Sequence, residues 1–409
     1  MEKRLIPEIR FKGFVGDWEE KKLGDVTKQI GDGLHSTPKY SDDGEYYFIN
    51  GNNLQNGRIV IDSNTKQVDY NQLRNSDKNL DENTILMSIN GTIGNIGYYN
   101  HEKVMLGKSC AYIISLESCK NFLFSFLQNP NVFKYYYKNL TGTTIKNLGL
   151  KAIRNTPILI PEIDEQEKIG RLFERLDQAI DLQRKVVEEN KRLKQALLQK
   201  LFPKKGQKLP ELRLKGFSGD WEEKKLGEIG ELKSGTGFPE AEQKGEEGIP
   251  FFKVSDMNLL ENSFMMMKSN NYVTENQVNK NKWKLIEGYA AIIFAKVGAA
   301  IMLNRKRLVK SRFLIDNNLM AFLVSSNYND YFIKTMFDTI NLPRYANVGP
   351  LPSYNASDIA VIKTRIPSLP EQGAIGNLFR SLDEKIAREE ERLEGYKTLK
   401  KSLLQKMFV

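Results

Sequence analysis

Two kinds of side chain that build reactive centres are scarce in this 409-residue chain, which has two cysteines, Cys110 and Cys119, and two histidines, His35 and His101. With no Cys or His pairs at ligand spacing, the composition argues against a zinc site and against a histidine-based triad. The two thiols read as inert residues of a reducing compartment. Long apolar runs are missing as well: nothing approaches the roughly 20 residues of a membrane helix, and the opening MEKRLIPEIR lacks the apolar core of a signal peptide. The expectation is a soluble, cytoplasmic protein with no membrane partner. Acidic residues are in deficit, 51 Asp and Glu against 61 Lys and Arg, for a net charge of +10. That balance favours a polyanionic partner.

Nucleotide and methyl-transfer signatures fail on inspection. Gly107-Lys108-Ser109 resembles the end of a phosphate-binding loop, but Glu102 stands where the first glycine is required. Gly91, Gly94 and Gly97 are spaced GxxGxxG rather than GxGxxG, and Asn129-Pro130-Asn131-Val132-Phe133 lacks the second proline of an amino-methyltransferase tetrapeptide. The chain reads as one that recognises rather than reacts, with its chemistry supplied from elsewhere.

What the sequence does have is duplication. Residues 160–202 and 366–408 align without a gap at an offset of 206, each beginning Ile-Pro and ending in LLQKLF or LLQKMF. Their interiors are almost free of Gly and Pro, and apolar residues recur at three-and-four spacing, which predicts two long helices of about 57 Å each. The expected helix–helix stripe is Ile169, Leu172, Leu176, Ile180, Val187, Leu193 and Leu197 in the first, and Ile375, Leu378, Leu382, Ile386, Leu393, Leu399 and Leu403 in the second. Asn190, with Tyr396 at the matching position, lies on the stripe as a polar residue suited to fixing register.

A second repeat precedes each helix. PEIRFKGFVGDWEEKKLGDV (7–26) and PELRLKGFSGDWEEKKLGEI (210–229) share 15 of 20 residues. The expected organisation is therefore a cassette (1–26), a variable domain (27–157) and a helical region (158–209), followed by a second cassette (210–229), variable domain (230–363) and helical region (364–409). Phe11, Phe14 and Trp18 of the first cassette read as anchors onto the domain that follows. The variable domains share placement but little sequence, and each reads as a mixed α/β domain of strand-like runs and Asn- and Gly-rich turns. In the first, strands are expected at Tyr46–Asn50, Thr84–Ile89, Ile96–Tyr99 and Ala111–Leu116, and helices at Asn121–Leu127 and Asn131–Leu140.

The polar and basic residues of these domains are candidates for DNA contact, because Asn and Gln suit adenine edges, Lys and Arg suit guanine, and short donors suit phosphates. In the first domain they are Asn50, Asn52, Asn53, Asn90, Asn95, Lys108 and Lys138, with Thr141, Thr143 and Lys146 of the loop TGTTIKNL. In the second they are Lys233, Thr236, Lys253 and Lys296, the cluster Arg305, Lys306, Arg307, Lys310 and Arg312, and Arg344 with Tyr345 ahead of the Gly349-Pro350-Leu351-Pro352 turn.

The whole chain resembles the specificity subunits of Type I restriction-modification enzymes. The resemblance is carried by the repeated cassette, by Thr141-Gly142-Thr143 leading through Asn147-Leu148 to Ile160-Pro161 and Glu165-Gln166, and by the helix ending LLQKLF. The second copy keeps Ile366-Pro367 and Glu371-Gln372 but has Asn347-Val348-Gly349-Pro350 in place of Thr-Gly-Thr. The resemblance implies an α+β protein in which two target-recognition domains, each reading half of a bipartite double-stranded DNA site, are separated by an antiparallel coiled coil with pseudo-two-fold symmetry. It also implies two modification (methyltransferase) subunits and restriction (motor and nuclease) subunits as partners. S-adenosylmethionine, ATP and Mg would then belong to those partners, and this chain would hold no cofactor of its own.

Overall fold

In a computed structural model, which describes residues 6–116, 120–347 and 351–409, the chain divides into two compact units, Met1–Leu182 with Glu394–Val409, and Gln183–Leu393. Cys119 and Val348 to Pro350 lie outside the described residues. Helix and sheet are mixed in both units, and no helix among the described residues is long and apolar enough to cross a membrane.

Each variable domain is built on an antiparallel sheet whose central strands are buried on both faces. In the first unit six strands pair, in the order Leu140–Thr141, Asn147–Leu148, Thr84–Asn90, Cys110–Ser115 and Thr27–Asp32, with Thr92–Tyr98 folded back on Thr84–Asn90. Because side chains alternate along a strand, TILMSIN and CAYIIS feed two cores at once. Ile85, Met87, Ala111 and Ile113 enter the larger core, while Leu86, Cys110, Tyr112 and Ile114 enter the smaller one on the other face. The second unit repeats this with Gly230–Ser234, Leu319–Val324, Ala291–Ala295 and Lys306–Val309. There Ile292, Phe294, Met320 and Phe322 serve one core, and Ala291, Ile293, Leu319 and Ala321 the other. Helices form at Lys120–Phe126 and Pro130–Lys138, with Asn129 capping the second through its side chain.

The cassettes tie the domains to the long helices. The strand Glu19–Lys22 pairs with Pro157–Ile160, and Glu222–Lys225 with Lys363–Ile366. Arg10 grips the buried carboxylate of Glu165 with two bonds, Nε to Oε1 at 2.8 Å and Nη2 to Oε2 at 2.7 Å, and donates to the Gly16 and Val15 carbonyls. Arg213 makes the same fork on Glu371, at 2.9 and 2.8 Å, and reaches the Gly219 and Ser218 carbonyls. Both guanidinium pKa values are raised, first by this bond to the glutamate.

The long helices span Ile163–Leu201 and Leu369–Lys406, and each contributes to both units. In the first unit Phe408, just past the end of the second long helix, packs against Phe173 on the first, together with Trp18 and Phe122. In the second unit Phe202, from the end of the first helix, packs against Phe379, Trp221 and Phe332. Backbone bonds close both helix ends: Ile9 N–H donates to the Lys406 carbonyl and Leu212 N–H to that of Lys200. Within each unit the paired helical segments run antiparallel, since Phe173 meets Phe408 as Asp177 meets Lys400, and Phe379 meets Phe202 as Asp383 meets Lys194.

The helix stripe departs from the expected one at matching points. Ile169, Ile180 and Val187 are buried, as are Ile375, Leu382 and Ile386, while Leu172, Leu176, Leu197, Leu378, Leu393 and Leu403 are half-buried. Leu193 and Leu399 instead turn to solvent, 49% and 47% exposed. The following residue in each case takes the inner position and forms an ion pair: Lys194 with Asp383 at 2.6 Å, and Lys400 with Asp177. Asn190 is buried, but its side chain donates to the Val186 carbonyl of its own helix. A cross-helix amide bond is made instead by Gln183, whose side chain donates to the carboxylate and the carbonyl of Glu389.

Candidate nucleic-acid interface

In the first unit the candidates gather where the strand Thr84–Asn90 ends. Asn90 pairs with Asn147, and the Gly91 N–H donates to the Lys146 carbonyl at 3.1 Å, which sets the Thr141–Lys146 loop beside the hairpin tip. Thr141, Thr143 and Lys146 are exposed there. Around the same strand end lie Asn50 to Asn53 and Lys108. The Ser109 hydroxyl donates to Asn50 Oδ1 and accepts from Gly51 N–H, and the Ile89 N–H donates to the Ser109 carbonyl. Several of these side chains are already engaged. Asn53 accepts from the Asn50 N–H and donates to the Val60 carbonyl, and Asn95 donates to the Leu54 carbonyl. Asn52 and Lys108 are exposed, and Lys108 forms no ion pair among the described residues.

The second unit carries a matching frame with different side chains. Lys253 occupies the position of Asn50, its N–H bonded to Asp256 as that of Asn50 is to Asn53. Lys296 follows the strand Ala291–Ala295 as Asn90 ends its own. Asn347 pairs with Ser353 as Thr141 pairs with Asn147, and the Gly298 N–H donates to the Pro352 carbonyl at 2.8 Å as Gly91 does to Lys146. Thr236 bridges to Asp316, while the Lys296 N–H donates to the Asn318 carbonyl. Burial holds the Asp316 carboxyl above the usual carboxylate range. The Lys253 ammonium donates to Gln243, and Lys233 is exposed and paired with Glu231. Arg344 and Tyr345 lie exposed on the short turn Leu342–Tyr345, just before Asn347.

The basic run NRKRLVKSR does not form the expected surface cluster. Lys306 is buried, 3% exposed, and donates to the Ile340 carbonyl at 2.6 Å; burial pulls its pKa down to about 8. Arg307 is half-buried against the Asn262 and Lys306 carbonyls, and burial lowers its pKa. Arg305 bonds Asn258, while Lys310 and Arg312 pair with Asp330 and Glu275 past the other end of the strand. An extended strand advances about 3.3 Å per residue, so the run stretches its charges along the sheet rather than massing them. The residues missed by sequence reasoning are the ones that position loops: Ser109, Asp256, Asp316 and Asn318. None of the four stands out by residue type, because each acts through bonds to backbone or to residues distant in sequence.

The molecule is thus an internally duplicated α+β protein that presents two differently furnished loop clusters on a shared backbone plan. The family described as Type I restriction modification DNA specificity domain matches residues 16–192 and 218–395, and the chain belongs to that family. It is 25% identical over 407 residues to the Type I restriction enzyme MjaIX specificity subunit of Methanocaldococcus jannaschii, covering 96% of this chain and 92% of that one. The MjaVIII specificity subunit of the same organism is 22% identical over 443 residues, covering 98% and 95%. The crystal structure of a Type I restriction-modification S subunit from M. genitalium shares the fold, with a TM-score of 0.65, 16% identity and 99% of both chains covered.

Proposed function

We propose that this chain is the DNA-reading subunit of a Type I restriction-modification assembly in the cytoplasm. Each unit reads one half of a bipartite site in the major groove, through the loops at the ends of Thr84–Asn90 and Ala291–Ala295. The long helices set the unread spacer as a coiled coil and dock two modification subunits. Restriction subunits join that complex, and S-adenosylmethionine, ATP and Mg are used by the partners. The observation that carries this reading is that matching backbone positions hold different side chains, Asn50 against Lys253 and Asn90 against Lys296. One geometry furnished with two chemistries is what reading two unlike half-sites requires.

The test is co-expression with the cognate modification subunit in a methylation-free host, followed by base-resolution mapping of N6-methyladenine. A split motif of two fixed halves and an unread gap is expected. A soluble, assembled complex that leaves no new methylation would sink the proposal and favour a coiled-coil scaffold that does not read sequence.

A further inference from the structure

The two hairpin tips at the centre of the candidate interface differ in one respect that charge and hydrogen bonding do not explain. In the first unit the tip is Asn90-Gly91-Thr92, and the return strand begins at once. In the second, Gly298 takes the place of Gly91, with nearly the same positive φ (77° against 74°), but a turn of five apolar residues, Ala299–Leu303, follows before the strand resumes at Lys306. Ile301 buries itself, and Met302 and Leu303 remain 66% and 58% exposed.

Exposed apolar side chains at a loop tip are usually mobile, yet this turn is fastened. Asn304 ends it in the left-handed conformation, and its amide both donates to the Ile340 carbonyl and accepts from the Leu342 N–H. That fixes the turn against the segment bearing Arg344 and Tyr345. Leu351, 64% exposed, lies against Gly298 and extends the apolar surface. Lys296 and Arg344 flank the turn, and neither forms an ion pair among the described residues. A rigid apolar tip between unpaired cations is ill suited to water and to a neutral protein surface. It suits a polyanion whose interior is apolar, namely duplex DNA, where Leu and Met side chains act as wedges at base steps while cations hold the flanking phosphates.

Resting on the DNA-reading function above, we propose that Met302 and Leu303 form a wedge that the second unit presses into a base step of its half-site, unstacking it. Specificity at that step then comes from the ease of deforming the sequence, with no hydrogen bond to its edges. The first unit, with a polar tip, reads its half without such a wedge.

The test uses the full chain assembled with its modification subunits and duplexes carrying the mapped motif, with 2-aminopurine placed at successive positions of each half. Binding is expected to raise the fluorescence several-fold at one step of the half read by the second unit and at none in the other half. Met302→Ser with Leu303→Ser should abolish the rise and weaken binding at least tenfold, while leaving the other half-motif and the thermal transition unchanged. Met302→Leu with Leu303→Met should restore it. A wild-type complex that reads a split motif with every probe still stacked overturns the wedge. So does sensitivity to replacing thymine by deoxyuridine without unstacking, which makes the pair a methyl contact. A double variant that loses its modification subunit but keeps its half-site also overturns it, since the turn would then face a protein. Absence of any split motif from the wild-type complex is the separate failure of the DNA-reading function itself.

Discussion

At the scale of single residues, Lys306 shows how little a basic side chain's identity says about its task. Its ammonium is buried with a folded pKa of about 8, below that of an unfolded lysine. Between about pH 8 and 10.5 the unfolded chain therefore binds more protons than the folded one, and the group's contribution to stability rises with pH. Below that window, keeping Lys306 costs on the order of 3 kcal/mol. Lys306→Met should stabilise the protein at pH 7, because the Ile340 carbonyl keeps its bond from Asn304, and the gain should fade towards pH 10.5. Thermal unfolding of both proteins across that range measures it; a gain that grows with pH would refute the assignment. The opposite case is Arg213, whose fork holds a carboxylate 1% exposed. Arg213→Met strands that charge and should cost about 3–5 kcal/mol in a denaturation series. Neither role was legible in the sequence. In the run NRKRLVKSR nothing sets Lys306 apart from the other basic residues, because its ammonium is bonded to a carbonyl 34 positions away, and Arg213 lies inside a repeat whose most visible residues are aromatic.

At the scale of elements, the sequence was far more informative. Strands appear at Tyr46–Ile49, Thr84–Asn90 and Cys110–Ser115, within a residue or two of where alternation and turn residues placed them. The long helices were readable because Gly and Pro are scarce and the period is sustained. What periodicity could not decide was which of two adjacent residues faces inward near the helix ends. Lys194 displaces Leu193 because Asp383 and Asp338 wait opposite; burial pulls its pKa down, but the two carboxylates outweigh it and leave it raised. Leu193→Gln should accordingly change stability by less than about 0.5 kcal/mol, whereas Leu198→Ala should cost about 2–5 kcal/mol. Comparable losses from both would put the stripe back on Leu193. One helix glycine is equally positional. A Cβ on Gly170 would lie 2.9 Å from the Asn121 Cβ and the Phe122 nitrogen. Gly170→Ala should therefore lower the melting temperature despite alanine's better helix propensity; an unchanged or higher value would mean the helices separate freely.

At the scale of the whole molecule, duplication is the organising fact, and it was visible in the sequence as two offsets, 203 for the cassettes and 206 for the helices. The frame those offsets impose on the candidate loops was not visible, because hydrogen bonds such as Gly91 to Lys146 and Gly298 to Pro352 run through the backbone and leave no trace in residue type. If the helices are the proposed ruler, removing one heptad within 176–198 and the matching heptad of the second helix shortens each by about 10 Å, equivalent to about three base pairs. Methylation mapping should then return the same half-sites with a shorter gap, and an unchanged gap in a folded variant would discard the ruler.

The exchanged helix ends also have a consequence for synthesis. The second unit is one uninterrupted stretch, Gln183–Leu393, and can close its core as soon as that stretch has left the ribosome. The first unit cannot: the space beside Trp18, Phe122 and Phe173 is filled by Leu404, Met407 and Phe408, translated more than two hundred residues after Leu182. At roughly 5–20 residues per second, the earlier half of the protein waits on the order of ten seconds or more for its last pieces. Until then the site that Phe408 fills has no helix end to close it, and the first long helix's own LLQKLF has already emerged.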